Sequence, residues 1–199
     1  MRRSEDYFSR RARQQGFAAR SVFKLQEMQE RFRLIRPGAR VLDLGAAPGS
    51  WSQYCLQALA GRGLVVGVDL NEPSFDRHQG TGAEFRFLRG DLFAPEVEAR
   101  LAEWGPYDLV LSDAAPHTSG SHLVDAQASL ELAGRALELA LRLLKSGGAT
   151  AIKVFQGGQE VELLERLRAG FARARAFKPE ASRSESREVY LLGFGRKPG

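Results

Sequence analysis

The stretch Arg40-Val41-Leu42-Asp43-Leu44-Gly45-Ala46-Ala47-Pro48-Gly49 decides the fold. Val41, Leu42 and Leu44 crowd a five-residue run, the composition of a short strand buried on both faces. The run enters a glycine loop, and a helix is expected from about Ser50 to Leu59. Strand, glycine loop and helix in that order open a doubly wound sheet, and Pro37-Gly38 separates the unit from what precedes it.

The alternation continues outward in both directions. Upstream, residues 18–33 set Val22, Leu25, Met28 and Phe32 on one helical face, with Lys24 at its rim. Downstream, Leu64-Val65-Val66-Gly67-Val68 is a second apolar strand ending at Asp69. Phe85-Arg86-Phe87-Leu88 is a third, ending near Asp91, and Tyr107-Asp108-Leu109-Val110-Leu111 a fourth, ending at Ser112-Asp113. Helices are expected over residues 94–104, 126–144 and 159–172. Between the last two, Gly147-Gly148 lead to the strand Ala149-Thr150-Ala151-Ile152-Lys153-Val154-Phe155. Phe177 begins a weaker strand, and Glu188-Val189-Tyr190-Leu191-Leu192-Gly193-Phe194 is the last. This order predicts a single-domain, Rossmann-like α/β fold, its mostly parallel seven-stranded sheet covered by helices on both faces. Residues 1–36, a basic arm and helix, belong to the same domain as residues 37–199. Ligands of such sheets bind beyond the carboxyl ends of the strands, where this chain places Gly49, Asp69, Asp91 and Asp113.

The loop and the acids narrow the ligand. A dinucleotide site wants G-x-G-x-x-G, whose amides cradle a pyrophosphate. Here Gly45-Ala46-Ala47-Pro48-Gly49-Ser50 has alanine at the second glycine position and a proline that removes an N–H. Asp69 lies 20 residues past Gly49, the spacing of a carboxylate that accepts ribose hydroxyls. Asp43 adds negative charge beneath the loop. Such a pocket suits a cationic nucleoside without phosphates, and S-adenosylmethionine has a ribose, an adenine, an ammonium and a sulfonium. Any one aspartate is more commonly a cap or turn residue, and only the set favours S-adenosylmethionine over NAD.

Composition bounds the rest. The chain has 199 residues, 43% hydrophobic and 27% charged, which suits one globular domain and excludes disordered, collagenous and disulfide-built classes. Its net charge of +5 is unevenly spread. Residues 1–40 carry 11 Lys/Arg against 4 Asp/Glu, residues 41–165 carry 9 against 17, and residues 166–199 carry 9 against 3. Two basic ends suggest a polyanionic partner. The single Cys55 excludes an internal disulfide and reads as a core residue. His78, His117 and His122 lack partners at ligand spacing, so no metal is expected. No secretory leader or membrane span is visible, and a cytoplasmic protein, monomeric and away from membranes, is expected.

Several segments together closely resemble the FtsJ/RrmJ family of ribosomal RNA 2′-O-methyltransferases, nearly end to end. They are Arg20-Ser21 with Phe23-Lys24-Leu25; the stretch Val41 to Gly49 with Trp51-Ser52-Gln53-Tyr54; Ser112-Asp113-Ala114-Ala115-Pro116; Lys153-Val154-Phe155-Gln156-Gly157; and Ser186-Arg187-Glu188-Val189-Tyr190. The resemblance implies a class I S-adenosylmethionine-dependent methyltransferase with a catalytic tetrad at Lys24, Asp113, Lys153 and Glu188. It implies cofactor contacts at Gly45, Gly49, Trp51, Asp69, Asp91 and Asp113. The implied substrate is a uridine of large-subunit (23S) ribosomal RNA in the assembling subunit. Two positions depart from the pattern: Ser50 where a third loop glycine is usual, and His117 where a small polar residue is usual.

The chemistry asks for these residue types. Methyl transfer is an in-line displacement, and a ribose hydroxyl attacks well only once its proton leaves to a positioned base. A neutral lysine can accept that proton and an arginine cannot. Lys153 sits in an apolar strand, where the bland alternative is an edge-strand lysine reaching for solvent. Lys24, Asp113 and Glu188 would orient the ribose and the base, against bland readings as a solvated lysine, a turn acid and an edge-strand acid. Trp51 either stacks on the cofactor or packs the loop against the sheet. Arginines 2, 3, 10, 11, 13 and 20, with Tyr7, Phe8 and Phe17 among them, read as an RNA-binding arm that Arg173, Arg175, Lys178, Arg183 and Arg187 extend if the C-terminal segment folds near it. The competing functions are a non-catalytic RNA-binding assembly factor, a transfer RNA 2′-O-methyltransferase and an NAD-dependent oxidoreductase.

Overall fold

In a computed structural model, which describes residues 7–75, 82–116, 119–158, 160–182 and 186–198, strand β1 (Arg40–Leu44) divides its side chains between two layers. Leu42 and Leu44 enter one apolar core, Val41 enters the other, and Asp43 points the same way as Val41 to meet Ser52 of helix α3 (Ser50–Ala58). The period-two alternation of a strand buried on both faces makes this division, and the rest of the sheet repeats it.

The remaining strands are β2 (Leu64–Asp69), β3 (Glu84–Arg89), β4 (Tyr107–Ser112), β5 (Leu144–Phe155), β6 (Phe171–Phe177) and β7 (Glu188–Arg196). They form one seven-stranded sheet in the order β3-β2-β1-β4-β5-β7-β6. The first five of these are parallel, and β7 runs antiparallel to both of its neighbours. One face is covered by α4 (Pro95–Glu103), α5 (His122–Leu143) and α6 (Glu160–Gly170), the other by α2 (Val22–Phe32) and α3. The strand order reverses between β1 and β4, which opens a crevice at their carboxyl ends.

The single-domain α/β architecture is as expected, with local corrections. Phe177 ends β6 instead of beginning a strand. The Phe171–Phe177 run alternates with period two, and α6 stops at Gly170, where a Cβ would come within 2.4 Å of Leu141. The helix expected over 18–33 starts at Val22, because Ser21 is committed to contacts with α3. Helix α5 begins at His122, and β5 extends back to Leu144. A further helix, α1 (Tyr7–Gln14), escaped the sequence reading because it is arginine-rich and buries Ala12 alone. Arg2, Arg3, His78, His117 and Arg183 lie outside the described residues. Among the described residues no helix is long and apolar enough to cross a membrane.

Candidate active site

Strand parity turns Lys153 and Glu188 to the α2/α3 side of the sheet, where Asp113 and Lys24 meet them. Ala151 and, two residues on, Lys153 share one face of β5; Glu188, Tyr190 and Leu192 share the matching face of β7. Lys153 is the register partner of Tyr190, and Phe155 of Glu188. Asp113 follows the end of β4, and the first turn of α2 lays Lys24 across the top.

The polar contacts join these groups into one cluster. Lys153 Nζ donates to the Asp113 main-chain carbonyl at 2.6 Å and lies 3.0 Å from Asp113 Oδ1. Tyr190 donates its hydroxyl to the same Oδ1 at 2.8 Å, and Lys24 forms an ion pair with Glu188 Oε1. Lys24, Lys153 and Glu188 are 9%, 7% and 8% exposed. These values exclude the bland readings of all three: neither β5 nor β7 is an edge strand, and Lys24 is not solvated. Burial works to raise the Asp113 carboxyl. Lys153, then Lys24 and the Tyr190 hydroxyl, outweigh it and hold that carboxyl below its ordinary range. Burial, with Asp113 second, pushes the Tyr190 phenol well above its ordinary range, so it stays a donor.

Beside the cluster, at the switch point, a cavity of about 300 Å³ is lined by Gly45, Ala47, Asp69, Asp91, Asp113 and Leu132, with neighbouring loop residues. Three of its walls carry carboxylates, and among the described residues no lysine or arginine lines it. That donor set fits a cationic nucleoside without phosphates, as S-adenosylmethionine is. Gly45 lets the loop pass the backbone after β4: a Cβ there would sit 2.6 Å from Ala114 Cα. Asp69 accepts from the amides of Ala47 and Asn71, and Asp91 from that of Phe93. Both aspartates are therefore turn residues and cavity walls at once.

Gly49 and Trp51 stand apart from this cavity. Gly49 has φ 117°, and a Cβ there would strike the Phe75 ring at 2.3 Å, so it serves close packing of the loop. Trp51 is 2% exposed, lies against Tyr190 at 5.7 Å between ring centroids, and donates its indole N–H to Ser21 O at 2.9 Å. These contacts favour packing over stacking as the use of its ring. Ser50 is helical and meets the Ser21 hydroxyl at 3.0 Å, so the missing loop glycine is accommodated. Sequence reasoning gave no role to Tyr190 or Ser21. The signal for Tyr190 was its place two residues after Glu188 on one strand face; Ser21 offered none, because its work is done by its carbonyl.

Beneath the loop, Asp43 is fully buried, accepts from Ser52 Oγ at 2.7 Å, and leaves Oδ1 without a partner. Burial, opposed by the Ser52 hydrogen bond and reinforced by Asp113 and Asp69, raises its carboxyl to about 7. Cys55 is buried in the α2/α3 core, where burial keeps its thiol protonated, as befits a packing residue. No group of His, Cys, Asp and Glu among the described residues is arranged to hold a metal ion.

Comparison with known proteins gives the same direction. Residues 17–196 match the model of the FtsJ-like methyltransferases. The ribosomal RNA large subunit methyltransferase E of Treponema denticola is 45% identical over 192 residues, covering 96% of this chain and 95% of that protein. Its namesake from Syntrophobacter fumaroxidans is 43% identical over 196 residues, covering 95% and 94%. Among solved structures, a Plasmodium falciparum chain described as a ribosomal RNA methyltransferase superposes with a TM-score of 0.79 at 24% identity, over 92% of this chain and 100% of that one, a likeness of fold. With the family model matched over most of its length and relatives 45% and 43% identical over nearly the whole chain, the chain belongs to the FtsJ-like methyltransferase family.

Proposed function

We infer that the protein methylates the 2′-hydroxyl of a ribose in large-subunit ribosomal RNA, at a uridine, with S-adenosylmethionine as donor. The observation that carries this reading is the contact of Lys153 Nζ with Asp113, at the boundary between the tetrad and the acidic cavity. Bound there, S-adenosylmethionine supplies an activated methyl group. Asp69 and Asp91 retain acceptor capacity toward the cavity for hydroxyls or a cationic group. Lys153, in its neutral form, accepts the proton of the 2′-hydroxyl at Nζ. Asp113, kept ionised, orients that amine through its carboxylate and its carbonyl. Lys24 and Glu188 hold the ribose side of the site, and the arginines of α1 and Arg20 take RNA phosphates. Arg11 and Arg20 are already stacked over Phe23 and Phe8.

All four tetrad residues come from one chain, which supports a monomeric enzyme, and a ribosomal substrate supports work in the cytoplasm. The near-full-length match to methyltransferases favours catalysis over a non-catalytic assembly role.

The test is to map ribose methylation in RNA from cells with and without the gene, then to restore it with purified protein and S-adenosylmethionine. One uridine of large-subunit RNA is expected to change. A change confined to transfer RNA, or none, overturns the substrate assignment.

A further inference from the structure

Two sets of arginines on opposite flanks of the described surface differ in how they are held. On the α4–α6 side they are paired: Arg135 and Arg142 with Glu98 at 2.9 and 2.8 Å, Arg166 with Glu138 at 3.6 Å, Arg100 with Glu103, and Arg168 with Glu165. On the opposite flank, Arg31, Arg33, Arg36, Arg173 and Arg175 have no carboxylate partner among the described residues. Three of them lie on aromatic rings instead. Arg31 is over Phe177 at 5.3 Å, Arg175 over Phe32 at 5.3 Å and Arg173 over Phe194 at 5.7 Å. The rings form their own cluster, with Phe32 5.0 Å from Phe177 and 5.9 Å from Phe194.

These groups line a groove between the end of α2 and the edge strand β6. A cavity of about 280 Å³ lies among Arg31, Phe32, Arg173, Arg175 and Phe194. A second of about 670 Å³ shares Phe32, Arg173 and Phe194 and adds Arg33 and Arg36. Acids at the margins are engaged elsewhere: Asp108 pairs with Lys145 at 2.9 Å, and Glu27 accepts from the Ala181 amide. Protection of an exposed sheet edge by charge accounts for Arg173 and Arg175. It does not account for Arg31, Arg33 and Arg36, which come from a different element to the same groove. A guanidinium held over a ring by cation–π attraction, with no carboxylate competing for its N–H groups, can still donate to a phosphate.

Lys24 and Arg31 are seven residues apart on α2, hence on one helix face and about 10 Å apart along its axis. We propose that this groove holds the phosphodiester backbone of the same RNA strand whose ribose enters the tetrad, as a second anchor beyond the active site. The proposal rests on the RNA-methyltransferase reading above.

The test is the triple variant Arg31→Gln/Arg173→Gln/Arg175→Gln, assayed as the full chain on large-subunit RNA from cells lacking the gene. The expected result is a KM for RNA raised about tenfold, with kcat and S-adenosylmethionine affinity unchanged. The dependence of log affinity on log salt should become shallower by about 2, at ~0.7–0.9 per lost phosphate contact. The corresponding triple lysine variant keeps most of that salt dependence. A control, Arg100→Gln/Arg166→Gln/Arg168→Gln, removes equal charge from the far flank and should change neither quantity. Unchanged KM and salt dependence in the first variant overturn the proposal, as does an equal effect in the control. A defect seen on assembled subunits and absent on protein-free RNA assigns the groove to a ribosomal protein and also overturns it. If the unaltered protein methylates no RNA, the functional reading itself has failed, which is a separate result.

Discussion

The Tyr190 hydroxyl and Asp113 Oδ1 meet at 2.8 Å, and that same oxygen lies 3.0 Å from Lys153 Nζ. One carboxylate oxygen thus receives a neutral and a cationic donor, while the Asp113 carbonyl receives Lys153 again. Removing the phenol should loosen the pair without breaking it. Tyr190→Phe is expected to cost about 1 kcal/mol of stability and to lower kcat roughly tenfold, with KM for S-adenosylmethionine little changed. Urea unfolding with steady-state kinetics checks both.

Lys153 is the group whose loss should abolish turnover. Lys153→Ala is expected to lower kcat by about 10²–10⁴-fold, and Lys153→Arg to be equally inactive, because arginine keeps its proton. Donor affinity measured by calorimetry should survive in both. Substantial activity in the arginine variant would remove Lys153 from the role of base.

The buried Lys24–Glu188 pair separates stability from function. Lys24→Met leaves Glu188 without its cation at a buried position and should cost about 3 kcal/mol or more. The double variant Lys24→Met/Glu188→Leu should recover most of that loss yet remain inactive. A double variant that regains methylation would show that the pair is scaffolding.

Asp43 sets a pH dependence of opposite sign to most carboxylates. Its folded-state value of about 7 lies above the ordinary 3.8, so the folded protein holds this proton more tightly than the unfolded chain. This group's contribution to stability therefore falls as pH rises from about 4 to about 7 and is level above that. Asp43→Asn removes the slope. The difference in unfolding free energy between variant and parent, read from urea titrations, should shift in the variant's favour across that interval, by a few kcal/mol at most. A difference that stays constant with pH contradicts the assignment.

Trp51 tests the loop. Trp51→Phe keeps the ring contact with Tyr190 but loses the hydrogen bond to Ser21 O. Its cost should be about 1 kcal/mol, and its kinetic effect should fall on RNA KM, since Ser21 adjoins the helix that carries Lys24. A large loss of donor affinity would restore the stacking role.

Strands β1, β2, β4 and β5 were readable because they are buried on both sides, which leaves a largely apolar run broken by single polar residues such as Asp43, Asp108 and Lys153. Strand β6 was misread because it is an edge: Arg173 and Arg175 occupy positions that inner strands give to apolar residues. The four tetrad positions were readable by resemblance, and their chemistry partly by context, as a lysine within an apolar strand is costly unless paired. The partners were less readable. Tyr190 looked like any strand aromatic, and the role of Asp43 depends on Ser52, nine residues away across a loop. Trp51 had two equally good uses, and only the placement of α2 over α3 decides between them.

Strand β6 touches the sheet only through β7, although it precedes β7 in the chain. The two must therefore join as one hairpin, and that hairpin carries Glu188 and Tyr190 on one member and Arg173 and Arg175 on the other. Detached, it would leave behind β1 to β5 with the whole acidic cavity still walled. A chain frayed at this edge should keep its methyl donor yet lose Glu188 from the tetrad and Arg173 and Arg175 from the groove. Fraying would then dismantle the tetrad and weaken the hold on RNA at this flank as a single event.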